Sequence, residues 1–196
     1  MIVAANEPAA IIIKKGPAQW TQLVLWDTRN DVFTAGAWIR GRIYAEKCDL
    51  SPDGQLFLYA IHQGRRFATD TTHSYTALSR APWLHALVLW PRGTTYGGGG
   101  RFTGDRRLTL RGEHVVHPDY STRGLEIIGG ASAAHRSTDE VEDAEWSGRD
   151  HAGRLIFTRA GSVFASVEDR DVLLTHFDAE RPDPQPAPEW ATRPLE

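Results

Sequence analysis

The sequence predicts an all-β fold, built as a repeated antiparallel meander with few or no helices. Short runs rich in β-branched and aromatic residues recur along the chain, and each ends at a cluster of Gly, Pro, Asn or Asp. Seven tryptophans are spread over the 196 residues, which indicates one recurring structural role. The only segment with a helix start signal, from Ser137, has almost no apolar face.

The length and charge of the chain limit its organisation and its partners. With 196 residues it fits one domain, 1–196, and can bury roughly 70% of its unfolded surface. The formal net charge of −3 is unlike that of proteins that grip phosphate backbones, so we expect no nucleic-acid partner. The last segment, 181–196, holds five prolines and is expected to run extended along the surface, with its end held by Trp190.

The single cysteine, Cys48, indicates a reducing compartment because it allows no disulfide within the chain. The first residues lack the basic start and long apolar run of a secretory signal. No stretch reaches the ~20 apolar residues of a membrane helix. We therefore expect a cytoplasmic protein without a membrane partner.

In the first half of the chain, apolar runs bounded by turn residues predict the strands. A turn at 27–31 follows from Asp and Asn side chains that bond to their own backbone. At 49–54, Pro52 fixes φ near −65° and Gly54 supplies a positive φ, which defines a second turn. The apolar run after it is unbroken, so that strand should be buried on both faces. The predicted strands are 9–15, 20–27, 38–44 with a bulge at Gly41, and 55–61, followed by an exposed loop over 63–73.

In the second half, the apolar runs are shorter and turn residues are more frequent. The predicted strands are 75–78, 84–90, 107–110, 115–116, 125–128, 155–159, 162–167 and 172–177. Four glycines at 97–100 predict a tight connection or a close approach of two backbones. The polar, acidic segment 132–143 is expected to be a mobile surface segment, with at most a short helix from Ser137.

Two segments share a pattern in which a turn ending in Gly precedes an apolar strand. They are Asp49-Leu-Ser-Pro-Asp-Gly54-Gln-Leu-Phe-Leu-Tyr59 and Trp146-Ser-Gly-Arg-Asp150-His-Ala-Gly153-Arg-Leu-Ile-Phe157. Each resembles the opening of a blade in TolB-type or WD40-like β-propellers. Gly54 and Gly153 lie 99 residues apart, which is two and a fraction blade units of about 40–45 residues. The resemblance implies a small propeller-like fold; a four- or five-bladed ring, an open meander or a β-sandwich are all compatible with it.

The chain as a whole is also similar to a set of uncharacterised bacterial proteins of about this size. The shared segments are Leu25-Trp-Asp-Thr28, Gly36 to Tyr44, the Cys48 to Gly54 turn, Leu89 to Gly100, and Pro188 to Ala191. This resemblance implies a domain family and carries no activity with it.

One segment offers metal-ligating chemistry. His114, His117 and Asp119 place two imidazoles and a carboxylate within six residues, a set that zinc or iron would accept. On a strand the two histidines would face opposite sides, so only a turn at Pro118 could bring the three together. The alternative is an ordinary polar loop.

Four aromatic residues are candidates for a stacking platform that binds a sugar or a peptide: Trp38, Tyr44, Trp83 and Tyr96. Packing in the core is the alternative for each. Cys48 has no base at a recognised nucleophile spacing, so we expect a buried structural thiol.

The pattern of motifs favours binding over catalysis. The chain has neither a P-loop nor a Gly-x-Ser-x-Gly elbow. We therefore expect a non-enzymatic binding or protein-interaction domain of propeller-like type, without a cofactor, that contacts another protein or a small ligand through loops at one end. The alternatives are a small metal-dependent enzyme or metal-binding protein, and a carbohydrate- or peptide-binding module.

Overall fold

The computed structural model describes residues 1–64, 73–112, 114–129, 141–168, 170–178 and 180–196, and in these ranges sixteen strands form four small sheets. The predicted all-β class is therefore confirmed. The helical parts of these ranges are the short helix α1 (Glu189–Thr192) and two 3₁₀ turns, Pro17–Gln19 and Ala45–Lys47. No helix in these ranges has the length and apolar character needed to cross a membrane.

The first sheet, sheet A, is an antiparallel meander in chain order. Its strands are β1 (Ile2–Val3), β2 (Ala9–Lys15), β3 (Trp20–Asp27) and β4 (Val32–Arg40). Strands β2 and β3 pair from Ala9 opposite Asp27 to Lys15 opposite Thr21. The β-branched run 11–13 explains this central hairpin, because such residues pack well on a pleated surface.

Sheet B is built around one long buried strand. Its strands are β5 (Arg42–Ile43), β6 (Asp49–Leu50), β7 (Leu56–His62), β8 (Ser74–Arg80) and β9 (Val88–Pro91). Strand β7 pairs with β5 and β6 on one side and with β8 on the other. Residues 56–61 are all buried, so the prediction of a strand covered on both faces is confirmed.

Sheets C and D complete the described structure. Sheet C contains β10 (Gly100–Gly104), β11 (Arg107–Leu110) and β12 (Glu126–Gly129), and sheet D contains β13 (Trp146–Arg149), β14 (Leu155–Arg159), β15 (Ser162–Val167) and β16 (Arg170–His176). Strand β12 is parallel to β11. The chain therefore crosses back over 111–125 between them, a longer connection than a hairpin needs.

Three apolar clusters join the sheets in the order D, A, B, C. The cluster between sheets D and A includes Ile12, Trp26 and Ile156. The cluster between sheets A and B includes Ile11 and Phe57, and the cluster between sheets B and C includes Leu58, Trp90 and Leu108. Each sheet thus buries its apolar surface mainly against a neighbouring sheet, as in repeat architectures.

Both copies of the sequence repeat form the same kind of hairpin turn. The amide of Gly54 donates to the Ser51 carbonyl at 2.8 Å, and that of Gly153 donates to the Asp150 carbonyl at 2.9 Å. The two glycines have φ values of +71° and +80°, which L side chains rarely adopt. The first turn joins β6 to β7 in sheet B, and the second joins β13 to β14 in sheet D.

The predicted strand over 38–44 is wrong in its extent. Strand β4 ends at Arg40, and β5 begins at Arg42 in the next sheet. Gly41 makes this corner close to β7: a Cβ at Gly41 would lie 2.9 Å from Ile61 Cδ1. Gly41 is therefore the crossing point between two sheets and not a bulge within one.

Other predicted strands differ in detail. Residues 115–116 form no strand, and 84–90 contributes only its end to β9. The short strands β1, β6, β10 and β13 were not predicted, because a pairing of a few residues leaves no periodic pattern. The helix predicted from Ser137 begins within 130–140, which lies outside the described residues, as do most of the mobile segment predicted over 132–143 and of the loop predicted over 63–73. Residues 141–145, which continue the predicted helix, are described and form no helix.

The four glycines at 97–100, which we call the glycine loop, confirm the predicted close approach of two backbones. Gly97, Gly98 and Gly99 have φ values of +71°, +72° and +73°. A Cβ at Gly99 would lie 2.1 Å from the Lys47 carbonyl oxygen, so only glycine fits there. The Lys47 ammonium donates to the carbonyls of Thr95 and Gly97 at 2.7 and 3.0 Å.

The tail lies on the surface, but Trp190 does not hold its end as predicted. Trp190 is 48% exposed, whereas Ala191 and Leu195 are buried, the latter within the cluster between sheets B and C. The Arg80 guanidinium at the end of β8 donates to the carbonyls of Trp190 and Arg193, each at 3.1 Å. The buried Ala191 and Leu195 side chains and the Arg80 hydrogen bonds therefore fix the tail, and the Trp190 side chain remains half in solvent.

Candidate functional site

A pocket of about 530 Å³ opens between sheets A and B. It lies at the end where β2 turns into β3, beside the corner at which the chain passes from β4 to β5. Its lining residues are Met1, Ile13, Lys15, Gly16, Gln19, Trp20, Thr21, Gly41, Arg42, Ile43, Tyr44, Ala45, His62, Gln63 and Gly64. Its volume lies within the range of about 300–1,000 Å³ that is typical of small-molecule sites.

The walls of this pocket, which we call the A–B pocket, are fixed by hydrogen bonds. The Thr21 hydroxyl donates to the Gly41 carbonyl at 2.8 Å and so ties β3 to the corner. The Gln63 amide donates to the Arg40 carbonyl at 3.2 Å and accepts from the Tyr75 hydroxyl at 3.2 Å. These bonds fix the backbone and side-chain positions around the pocket, and small-molecule sites are usually largely preformed in this way.

The charged side chains among the described lining residues are all cationic. Among its described lining residues, Lys15 and Arg42 carry cationic side chains, and none is Asp or Glu. The Arg42 guanidinium lies 5.1 Å from the centre of the Tyr44 ring, and the Lys47 ammonium lies 4.8 Å from it. Contacts of this type between cations and an aromatic face stabilise both groups.

His62 adds a polar group to the wall. Its Nδ1 atom is buried and has no hydrogen-bond partner among the described residues. The ring of His73 stands edge-on to it at 5.8 Å between centres. A buried imidazole nitrogen without a partner is costly, because it has given up its bond to water.

The four predicted aromatic residues do not form one platform. Tyr44 lines the A–B pocket, whereas Trp38 is 9% exposed and packs beneath Gly16, where a Cβ would lie 2.7 Å from its ring. Trp83 is half-buried near the end of β8, and Tyr96 is 85% exposed in the glycine loop. Tyr44 is thus the member that the structure places at a cavity.

The sequence alone did not single out Trp20, Arg42 and His62 for this pocket. They come from β3, β5 and the end of β7, and they meet only because Gly41 directs the chain from sheet A to sheet B. The available signals were the Gly16-Pro17 and Gly41-Arg42 breaks, which mark chain corners without saying what meets there.

Only two of the three candidate metal ligands approach each other. The His117 Nδ1 atom lies 3.7 Å from a carboxylate oxygen of Asp119 and accepts a hydrogen bond from its amide at 3.3 Å. The imidazole of His114 instead donates to the Gly112 carbonyl at 2.8 Å. Within the described ranges, no three His, Cys, Asp or Glu side chains are grouped to hold a metal ion. Metal binding by these residues stays a prediction, which elemental analysis tests.

Cys48 has the environment of a structural thiol. It is fully buried, and its Sγ atom donates to the Tyr44 carbonyl at 3.1 Å. Burial raises the pKa of the thiol to about 12. The thiolate that a nucleophile requires is therefore not formed at neutral pH.

A cluster of charged and polar side chains joins sheets D and A at the end of sheet A that lies opposite the A–B pocket. The Arg154 guanidinium binds both carboxylate oxygens of Asp31 at 2.8 Å, and its Nε donates to Asp150 at 2.9 Å. It also donates to the Thr28 carbonyl at 2.9 Å. The hydrogen bonds that Arg154 donates to Asp31 raise the pKa of the guanidinium further above its usual value. We call this the Arg154 clasp; its donors and acceptors satisfy one another, so its role is structural.

The chain was compared with protein-family models, with curated proteins and with solved structures, and no match was found in any of the three comparisons.

Proposed function

We propose that this chain is a non-enzymatic, propeller-like binding domain that holds a small ligand in the A–B pocket. The observation that carries the proposal is a preformed cavity of about 530 Å³ at one end of the sheets. Loops and corners held by a rigid β scaffold are common sites of binding in such domains.

The arrangement of the sheets supports the propeller-like part of the proposal. Four small sheets follow one another along the chain, and each contains a hairpin near its start. The hairpin turns recur about every 50 residues, close to the longer blade units known in propellers. The last sheet packs against the first, as it must in a ring.

The lining of the pocket favours binding over catalysis. Among its described residues there is no cysteine, serine or carboxylate, and the Thr21 hydroxyl is already bound to a carbonyl. Among the described lining residues, no cysteine, serine or carboxylate is present to act with His62 as a nucleophile or acid.

A carbohydrate or peptide ligand is the second candidate, and one observation favours it. Trp20 and Tyr44 both line the pocket, and aromatic faces are common binding surfaces for sugars and peptide side chains. We further infer a cytoplasmic location, supported by a lone cysteine that is free and buried.

A fragment screen tests the proposal. We expect small molecules, short glycans or peptides to bind the protein in ligand-observed NMR, and to lose binding when Ala45→Trp fills the pocket from its exposed rim. Ala35→Trp, on the exposed face of β4, is the matched control and should keep the same ligands. Hits that bind both variants equally, or turnover of a hit, would contradict the proposal.

A further inference from the structure

We infer that the A–B pocket takes an amphipathic anion, meaning a compact apolar body with one carboxylate at its end. This inference rests on the proposed function and names the class of its ligand. It follows from the separation of charged and apolar groups within the pocket.

The cationic groups lie at the rim of the pocket. Lys15 is at the end of β2 and Arg42 is at the start of β5, and both residues are exposed. They approach the opening from sheet A and from sheet B, respectively. A negative group at the opening would therefore meet one cation from each sheet.

Much of the buried lining is apolar. Ile43 is 8% exposed, and Ile13 is a half-buried member of the cluster between sheets A and B. The Trp20 ring adds an aromatic wall. An apolar body gains free energy of roughly 25 cal/mol per Å² of surface that it buries against such a wall.

The described lining residues favour an anion over a cation. The described lining residues include no carboxylate that could pair with a cationic ligand or neutralise Lys15 and Arg42. Glu46 follows Ala45 in the chain, but it is exposed and does not line the pocket. An ammonium ligand would thus meet charges of its own sign at the rim.

Arg42 suits a carboxylate in particular. Its guanidinium carbon lies 5.1 Å from the centre of the Tyr44 ring, a contact in which arginine keeps its hydrogen-bond donors available. A planar guanidinium can donate two parallel hydrogen bonds to a carboxylate, and such charge-assisted pairs are roughly twice as strong as neutral hydrogen bonds.

Isothermal titration calorimetry with three probes of one shape tests the inference. The probes are 2-naphthoate, 2-naphthol and 2-naphthylmethylamine. We expect 2-naphthoate to bind at least about tenfold more tightly than 2-naphthol, and the amine to bind most weakly. Raising the salt concentration from 50 to 500 mM should weaken only the carboxylate, because salt screens exposed charges.

Two variants test whether Arg42 and Lys15 cause the preference for the carboxylate probe. Arg42→Gln and Lys15→Gln should each lower the affinity for 2-naphthoate about threefold to tenfold and leave 2-naphthol unchanged. Arg29→Gln, an exposed arginine in the turn at the opposite end, is the control. Two substitutions are used so that one remains if the other fails to fold, which circular dichroism shows.

The outcomes separate the two proposals. Equal binding of 2-naphthoate and 2-naphthol, both lost in Ala45→Trp, would overturn the anion inference and leave the proposed function standing. Tighter binding of the amine, or an anion preference that survives both substitutions, would also overturn the inference. If no probe binds and the fragment screen is empty, both proposals fail.

Discussion

At the scale of single residues, Arg154 shows how one side chain can connect distant parts of the chain. It lies just after the β13–β14 turn, and it binds Asp31 in the β3–β4 turn, 123 positions earlier in the sequence. The side chains are 25% and 29% exposed, so the ion pair is partly withdrawn from water. Partial burial raises the cost of leaving the guanidinium without its anion.

Removing that anion should destabilise the protein. We expect Asp31→Asn to lower the free energy of unfolding by about 2 kcal/mol, measured by urea titration, because the guanidinium loses its charged partner. Asn tolerates the positive φ of +53° at this position, so the backbone is not strained.

Asp178→Asn is the matched control, since it removes the same charge from a side chain that is 90% exposed and pairs loosely with His176. It should leave the stability unchanged. Equal losses in the two variants would show that the Arg154 clasp contributes nothing beyond net charge.

Cys48 predicts a loss of stability in alkaline solution. Burial raises the pKa of the thiol to about 12 in the folded protein. In the unfolded chain the thiol is exposed to water and its pKa is near 9. Above pH 9 the unfolded state therefore binds fewer protons than the folded state, and unfolding becomes more favourable as pH rises, by up to about 1.4 kcal/mol per pH unit. Below pH 9 this group has no effect.

Unfolding by urea at pH 8, 9 and 10 under reducing conditions measures this effect. Cys48→Ala should unfold more easily at pH 8 but lose less stability between pH 9 and 10 than the parent chain. Burial also raises the pKa of Tyr75 to about 12, so a further loss above pH 10 should remain in the variant. Parallel pH profiles of the two proteins would contradict the assignment to Cys48.

Residue-scale prediction from sequence succeeded where the local pattern decides the outcome. Cys48 has no base at a recognised nucleophile spacing and was expected to be a buried structural thiol, and it is buried. Arg42 and Trp20 could not be placed, because their positions in the A–B pocket depend on how two sheets meet. That meeting is set by contacts far apart in the sequence.

At the scale of elements, the glycine loop between β9 and β10 has a strict steric requirement. We expect Gly99→Ala to lower the free energy of unfolding by at least about 2 kcal/mol more than Gly153→Ala. Both glycines have a positive φ, but only at Gly99 would the new methyl group overlap a backbone carbonyl.

Gly153 is the control because a Cβ there would meet nothing within 4 Å. Thermal unfolding of the two variants, followed by circular dichroism, gives the comparison. Losses of equal size would mean that the loop moves away from Lys47 at little cost.

The elements also show which strands a sequence can reveal. Strands 155–159 and 162–167 were predicted with their observed bounds, since Gly161 and charged turns delimit them. The run 38–44 was assigned to one strand because its apolar residues continue across Gly41. Continuity of pattern cannot show that the hydrogen-bond partner changes from β3 to β7 at that glycine.

At the scale of the whole molecule, the spacing of the repeat has a simple explanation. The interval of 99 residues between Gly54 and Gly153 contains one intervening sheet, C, and not two. Its turn at Gly104 lacks the Ser-Pro pair and so gave no signal. The units are about 50 residues long, beyond the 40–45 that was assumed for the count.

The shared clusters predict cooperative unfolding. Sheet A packs against both D and B, and B packs against C, so no sheet keeps its core if a neighbour unfolds. In protein labelled with 5-fluorotryptophan, we expect the ¹⁹F signals of Trp26, Trp90 and Trp146 to disappear at one urea concentration. Single Trp→Phe variants assign these signals, and an earlier loss of the Trp146 signal would show that sheet D unfolds alone.

The packing of sheet D on sheet A also has a consequence for biosynthesis. Ile12 and Ile156 belong to one cluster, yet the ribosome adds them in order along the chain. At 5–20 residues per second, the interval between them is on the order of ten seconds. Throughout that time one apolar side of the nascent first sheet is not covered by sheet D. We therefore expect chaperones that shield such surfaces to bind the growing chain.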